Sequence, residues 1–344
     1  MDPVVLAFLV QDGVTNGAIY ALLGLALVLV FSVTRVIFIP QGEFVTYGAL
    51  TLASLDAGRL PGTATLLLCF GVAALLLDLW DARGELQIRA LLRSVLLNLA
   101  LPAAIYCVLI LLAPVGLAPV GKALLTILLI APMGAYLYRI AYRPLADASV
   151  LVLLITSVGV HLAMMGLGLF FFGAEGLRGR PLAAGSYALG FLPVSAQSLW
   201  IYGTTIAVMV GLYVFFEKTI LGKALRATAA NRLGARLVGI PTQLTGGTAF
   251  VLAAIIGAVS GVLISPVTTI YYDTGFLMGL KGFVGAILGG LASFPVTALA
   301  ALGVGLVEAF ASFFASSYKE IIVFALIIPF LLWRSIAAGE HEEE

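Results

Sequence analysis

The sequence predicts an all-α protein, a polytopic transmembrane bundle of about ten or eleven helices, some of them short or broken. Three observations carry that prediction. Of the 344 residues, 62% are hydrophobic and only 10% charged. Charge-free runs at 13–34, 148–174, 181–216, 237–272 and 282–307 each reach the roughly 20 residues a helix needs to cross the apolar layer. These runs are apolar on every side, whereas a closed membrane barrel would show short alternating segments.

Taken in order, the first helix spans about 13–31. Asp2 and Asp12 precede it where a signal peptide would carry basic residues, so it is expected to remain as a membrane helix. Further helices follow near 43–56, 62–78, 95–112, 121–138, 149–172, 199–216, 246–265, 276–292, 296–312 and 319–334. The second, third and ninth read as short for a full span. Broken or re-entrant helices are tolerated in a membrane only where protein or a cavity surrounds the backbone. Cys69 and Cys107 sit inside apolar runs and read as small core hydrophobes with no disulfide between them.

Residues 217–245 punctuate the apolar pattern most strongly. Lys218, Lys223, Arg226, Arg232 and Arg236 stand there against one acid, Glu217. A basic excess of this kind marks the cytoplasmic side. Counting spans from it places Arg139, Arg143, Arg334 and the mixed loop 78–93 inside, the loop 173–198 and the N-terminus outside, and the C-terminus inside. Between its Gly and Pro breaks, 223–238 reads as one short helix, with the cations over half its circumference and Leu225, Ala229, Leu233 and Leu237 on another face. Such a helix either rests on lipid headgroups or seats in a partner.

No soluble domain and no enzyme site is legible. Residues 116–123, Gly-Leu-Ala-Pro-Val-Gly-Lys-Ala, have the spacing of a phosphate-binding loop, but Ala123 lacks the hydroxyl that would ligate magnesium and Pro119 removes a backbone N–H. His161 and His341 have no companions suited to a metal or a triad. A net charge of +1 argues against a nucleic-acid partner. Transport is the remaining default. Ionisable groups within the apolar helices are few: Arg35, Glu43, Lys281 and Glu308 near expected ends or breaks, and His161 in mid-helix, which is thin for an ion-coupled carrier acting alone. Gly275, Gly279, Gly282, Gly285 and Gly289 fall on one narrow helical face, a seam for close helix packing or for a path shared with a second subunit. Gly257 with Gly261, and Gly13 with Gly17, repeat the theme.

Four blocks in order resemble the integral-membrane permease of the branched-chain amino-acid ABC importer family, the LivH type. They are Gly13–Glu43, Ala141–Leu145 with Ile155–Gly159, Gly222–Ala227 through Ala235–Ile240, and the closing segments Gly279–Phe283, Gly289-Gly290, Gly305, Glu308 and Tyr318–Glu320. The resemblance covers 13–58 and about 120–332. It implies a single permease domain over 1–344, with 60–112 as a two-helix insertion and 217–245 as the cytoplasmic loop that docks on the ATPase. Phe38 and Gln41 depart from the family's usual Asn and His before the Gly-Glu turn.

What the resemblance implies is a non-catalytic subunit in a bacterial inner membrane. Its partners would be a second related permease of the LivM type, with a homodimer of this chain as the alternative, two ATPase subunits that use ATP and Mg²⁺, and a periplasmic substrate-binding protein, with membrane lipid around it; the chain itself would bind no cofactor or metal. The coupling contact would fall on Lys223, Arg226, Ala227, Asn231, Ala235, Arg236, Leu237, Gly239 and Ile240. Substrate contact would fall near Thr15, Asn16, Gln41, Gly42, Glu43, Thr156, Gly159, Lys281, Phe283 and Glu308. Branched-chain or related hydrophobic amino acids suit that apolar lining; urea, short amides and aromatic acids stay open. An ion-coupled carrier working alone and a scaffold without transport are the competing classes.

Overall fold

Nine helices of the computed structural model are long and apolar enough to cross a membrane, counted among the described residues 2–81, 88–112, 116–189 and 192–339. Helix α1 (Pro3–Thr34) starts ten residues earlier than the apolar pattern suggests. Asp2 caps it by accepting from Val4 N at 3.0 Å, and Pro3 at the first turn sacrifices no hydrogen bond. At 1.5 Å per residue its 32 residues reach about 48 Å, well beyond the hydrocarbon layer. It ends at Arg35, which adopts a left-handed conformation with φ 61°.

The chain then turns back into the protein before α2 (Gln41–Asp56) begins. α3 (Gly62–Asp81) packs against the pair α4 (Ile88–Val95) and α5 (Leu101–Leu112), which a π-helical turn at Leu96–Ala100 joins, and together they form a two-helix hairpin. α3 has 20 residues and is a full span, correcting its reading as short. Cys69 and Cys107 are free and exposed on the outer faces of this hairpin, correcting their reading as core residues. A run that is apolar all round does not distinguish the face turned to lipid from the face turned to protein. Arg83, Glu85 and His341 lie outside the described residues.

α6 (Pro119–Leu137) continues through a π turn and a 3₁₀ turn to Leu145, followed by α7 (Val150–Phe172). Lys122 of the phosphate-loop look-alike is committed to Asp56 at 2.9 Å. The loop after α7 carries a small antiparallel hairpin, β1 (Ser186–Leu189) with β2 (Leu192–Ser195), which the apolar pattern does not announce. α8 (Ala196–Lys218) leads into α9 (Ile220–Ala230) and α10 (Arg232–Leu237). The segment read as one helix over 223–238 is thus two: Asn231 is extended, at φ −152° and ψ 103°, and its side chain caps α10 by accepting from Gly234 N. Gly239, at φ 85°, makes the turn into α11 (Thr242–Ile264). α12 (Thr274–Leu288), α13 (Phe294–Phe314), α14 (Lys319–Ala325) and α15 (Ile327–Gly339) complete the chain.

α2 and α12, the second and ninth apolar segments, are half-length helices that begin in the middle of the bundle. Gln41 Nε2 donates to the carbonyl of Ala253, midway along α11, and Phe276 stacks on His161, midway along α7. Their first turns touch backbone to backbone. A Cβ on Gly42 would stand 2.0 Å from the Gly275 oxygen, and one on Gly275 would stand 2.1 Å from the Gly42 oxygen. The same exchange extends outward: Gly305 of α13 closes on Gly13 and Gly17 of α1, as Gly134 of α6 closes on Phe250 and Ala254 of α11. α1 carries α12 and α13 as α11 carries α2 and α6, with the direction reversed. The fold therefore contains an inverted pair of long-helix and half-helix units meeting at Gly42 and Gly275. The glycine seam of α12 packs entirely within the chain: Gly279 faces Gly42, Gly282 faces Leu23 and Gly24, Gly285 faces Ala301 and Gly289 faces Thr297.

Candidate functional site

The polar groups singled out in the sequence separate into two places. Thr15 and Asn16 of α1, Lys281 of α12 and Glu308 of α13 line one cavity of about 430 Å³, together with Asp12, Tyr20, Thr274 and Lys319. It opens at the end of the bundle where α1 and α8 begin, since Thr15 Oγ1 lies 2.8 Å from the Tyr202 hydroxyl. Lys281 and Glu308 lie in helix interiors here, not near helix ends as expected. Each is carried inward by an otherwise apolar helix and is buried.

A buried charge needs partners, and these have them. Lys281 Nζ stands 2.5 Å from Glu308 Oε1 and 3.0 Å from Glu320 Oε1, while the Tyr20 hydroxyl donates to Glu308 Oε2 at 2.5 Å. The ammonium also lies 5.9 Å from the Tyr20 ring centre. Asn16, by contrast, has no hydrogen-bonding partner among the described residues, which leaves an amide donor and acceptor facing the cavity. The cavity thus offers apolar walls from Ile19, Leu277 and Met278 beside a charge cluster of both signs. Small molecules that carry opposite charges and an apolar tail match that lining.

Gln41, Gly42 and Glu43 sit instead at the half-helix crossing. Both side chains are fully buried. Glu43 Oε1 lies 3.0 Å from His161 Nδ1, whose ring stacks on Phe276 at 4.4 Å. Gln41 Oε1 and Glu43 Oε2 are buried without a hydrogen-bond partner. Phe38, in the place of the family's usual Asn, packs on Phe44, Tyr142 and Phe250, an aromatic wall below the crossing. Thr156 and Gly159 are not brought to either place: Thr156 bonds its own helix at the Val152 carbonyl and Gly159 has open space around it. Phe283 packs on the hydrophobic core. Tyr20 and Glu320 lack a local signal, because their roles arise from pairings 288 and 39 positions away in sequence.

At the opposite end, α9 is anchored by Leu225, fully buried against Leu29 and Val33 of α1 and Ala249 of α11. Arg226 bonds Glu217 at 2.5 Å and the Phe216 carbonyl at 2.7 Å, Arg232 bonds the Ala146 carbonyl at 2.6 Å, and Arg236 pairs with Asp147 at 3.1 Å. Three of the five cations thus bind this end together. Lys223, Asn231, Leu237 and Gly239 face outward, Ala227 and Ile240 are half-buried and Ala235 is buried. Outward of the arginines, Leu233, Leu237 and Val238 stand 68%, 80% and 76% exposed. These side chains form an exposed apolar step between basic ones.

The sequence profile described as branched-chain amino acid transport system / permease component matches residues 9–331. The chain belongs to that family. It is 32% identical over 236 residues to the high-affinity branched-chain amino acid transport system permease protein BraD of Pseudomonas aeruginosa, covering 65% of this chain and 77% of BraD. It is 30% identical over 201 residues to the LivH permease protein of Escherichia coli K12, covering 56% of this chain and 65% of LivH. A probable branched-chain amino acid transport permease LivH of Methanocaldococcus jannaschii is 26% identical over 241 residues. Family membership and the spanning helices together make this chain an integral, multi-pass membrane permease component.

Proposed function

We propose that the chain is the non-catalytic membrane subunit of an ATP-driven importer that moves branched-chain or related hydrophobic amino acids received from a periplasmic binding protein. The observation that carries this reading is the exposed apolar step of Leu233 and Leu237 on α10 and Val238 at its C-terminal cap, held to the bundle by arginines at the end opposite the polar cavity. It suits docking by a separate ATPase that binds ATP and Mg²⁺, with two such ATPases and a second related permease completing the transporter. In this reading α9 and α10 face the cytoplasm of a bacterial inner membrane, the N-terminus and the cavity face the periplasm, and the C-terminus returns inside.

Motion enters through a short mechanical route. Closure of the ATPase tilts α9 and α10; Leu225 passes the displacement to α1 and α11; and the glycine contacts of α1 with α12 and α13 carry it to Lys281 and Glu308. Thr15 and Tyr20 lie along α1 from Leu29, about 20 Å apart at the helical rise for Thr15 and Leu29. The cavity's mixed charges would orient an amino-acid ammonium and carboxylate while Leu277 and Met278 take the aliphatic side chain.

The test is the Leu237→Glu, Val238→Glu double variant, produced with its partner subunits. Loss of the ATPase on purification and of ATP-driven leucine, isoleucine and valine uptake, with unchanged unfolding of the permease itself, is expected. Normal ATPase recovery and uptake would remove this surface from the mechanism. Uptake of urea but of none of the three amino acids would overturn the substrate assignment.

A further inference from the structure

A second cavity, of about 580 Å³, lies at the same end as α9 and α10 but on the flank where the α3–α5 hairpin meets α6 and α11. Its lining includes Arg93 of α4, Arg139 and Arg143 at the end of α6, Gln243 of α11 and one acid, Asp78 of α3. That acid is already used. Asp78 accepts from Arg139 and Ser94 in close contacts and from Asn98 Nδ2 at 2.8 Å, which fastens the hairpin to α6. Arg93 and Arg143 are left exposed in the cavity with no carboxylate among the described residues to pair with either.

Depth and surroundings identify what would fill it. The cavity sits where four apolar spans end or begin, at Asp78 to Asp81, Leu91, Arg143 to Leu145 and Thr242, which is the level of the headgroups in a bilayer. Leu97 and Leu244 of its lining turn 46% and 52% of their surfaces outward, apolar surface in the same cavity as two guanidiniums that no carboxylate of the described residues pairs. A planar guanidinium binds phosphate oxygens through paired N–H donors. A ligand with a phosphate at the interface and acyl chains lying over leucines satisfies both halves at once. We infer that this cavity is a binding site for the phosphate headgroup of an anionic phospholipid, with Arg93 and Arg143 as its ligands and the α3–α5 hairpin as its wall. The hairpin would then serve to hold a lipid against α6 and the start of α11, next to the turn that joins α10 to α11.

The experiment uses the full chain in mild detergent, titrated with phosphatidylglycerol or with phosphatidylcholine while thermal unfolding and bound lipid by native mass spectrometry are followed. Phosphatidylglycerol is expected to be retained and to raise the unfolding midpoint, and phosphatidylcholine to do neither. Arg93→Gln and Arg143→Gln should each raise the half-saturating lipid concentration about fivefold, as expected for one basic group at a charged membrane surface. Arg89→Gln, on the same helix but outside the cavity, should change it less than about twofold by the same reasoning. An equal effect of Arg89→Gln, or unchanged phosphatidylglycerol binding by the Arg93→Gln, Arg143→Gln double variant, would overturn the site. Inorganic phosphate that displaces the lipid at equal concentration would overturn the lipid assignment in favour of a free anion. Loss of ATPase copurification in the double variant with lipid binding intact would overturn it in favour of a protein contact.

Discussion

Among the described residues, replacing Lys281 by Met removes the only cation within salt-bridge distance of Glu308 and the nearer of the two around Glu320. The methionine keeps most of the side-chain volume, so the change is one of charge. Two carboxylates then remain, one in a side chain only 10% exposed and one 36% exposed. Breaking a buried pair by deleting one partner costs about 3–5 kcal/mol, chiefly because the remaining charge is unpaired. Glu320 is exposed enough for water to screen it, so its share is small and the expected loss is at the lower end, about 3 kcal/mol. The Tyr20 hydroxyl still donates to Glu308 and moderates the loss further. Adding Glu308→Gln to Lys281→Met removes the orphaned charge and should restore about 2 kcal/mol, a coupling within the range known for contacting residues. The assay is equilibrium unfolding in mixed micelles for wild type, both single variants and the double variant. A double variant no more stable than Lys281→Met alone would show that the pair carries no buried electrostatic coupling, and the account of this cavity as a desolvated charge site would fail with it.

Two further outcomes test the packing. Gly42→Ala places a Cβ 2.0 Å from the Gly275 oxygen, where backbone meets backbone and no side chain can swing away. It should lose about 3 kcal/mol or more, whereas Gly159→Ala, with nothing within 4 Å, should be neutral or slightly stabilising in mid-helix; similar unfolding midpoints for the two would contradict the half-helix crossing. Cys69→Ala and Cys107→Ala should each shift stability by less than about 0.5 kcal/mol, as befits outward positions, and a loss above 2 kcal/mol in the same unfolding measurement would return these residues to the core.

The spans were legible because a membrane imposes a long apolar window on every helix that crosses it, and loop chemistry stands out against that background. Asn231 shows where such reading stops. Its neighbours favour helix, and whether a helix runs through an Asn or restarts at it depends on whether the surrounding contacts accept the bend. Arg232 and Arg236 settle that by reaching Ala146 and Asp147 in the turn that leads into α7. The candidate site was half legible for a related reason. Thr15, Asn16, Lys281 and Glu308 are conspicuous as polar residues in apolar helices and do meet in one cavity. Gln41 and Glu43 are equally conspicuous but belong to the crossing, and Thr156 and Gly159 belong to neither.

By itself the sequence determined that this chain is a many-span membrane protein, where its breaks and basic end fall, and which family it belongs to, since these depend on composition along a line. Only the tertiary structure decided which polar residues share a cavity, that the glycines of α12 close on α1, α2 and α13, and that two half-helices meet head to head at Gly42 and Gly275. Hydrophobicity fixes whether a segment enters the membrane. Which face of it meets lipid and which meets another helix is fixed by small residues and buried hydrogen bonds whose partners lie hundreds of positions away.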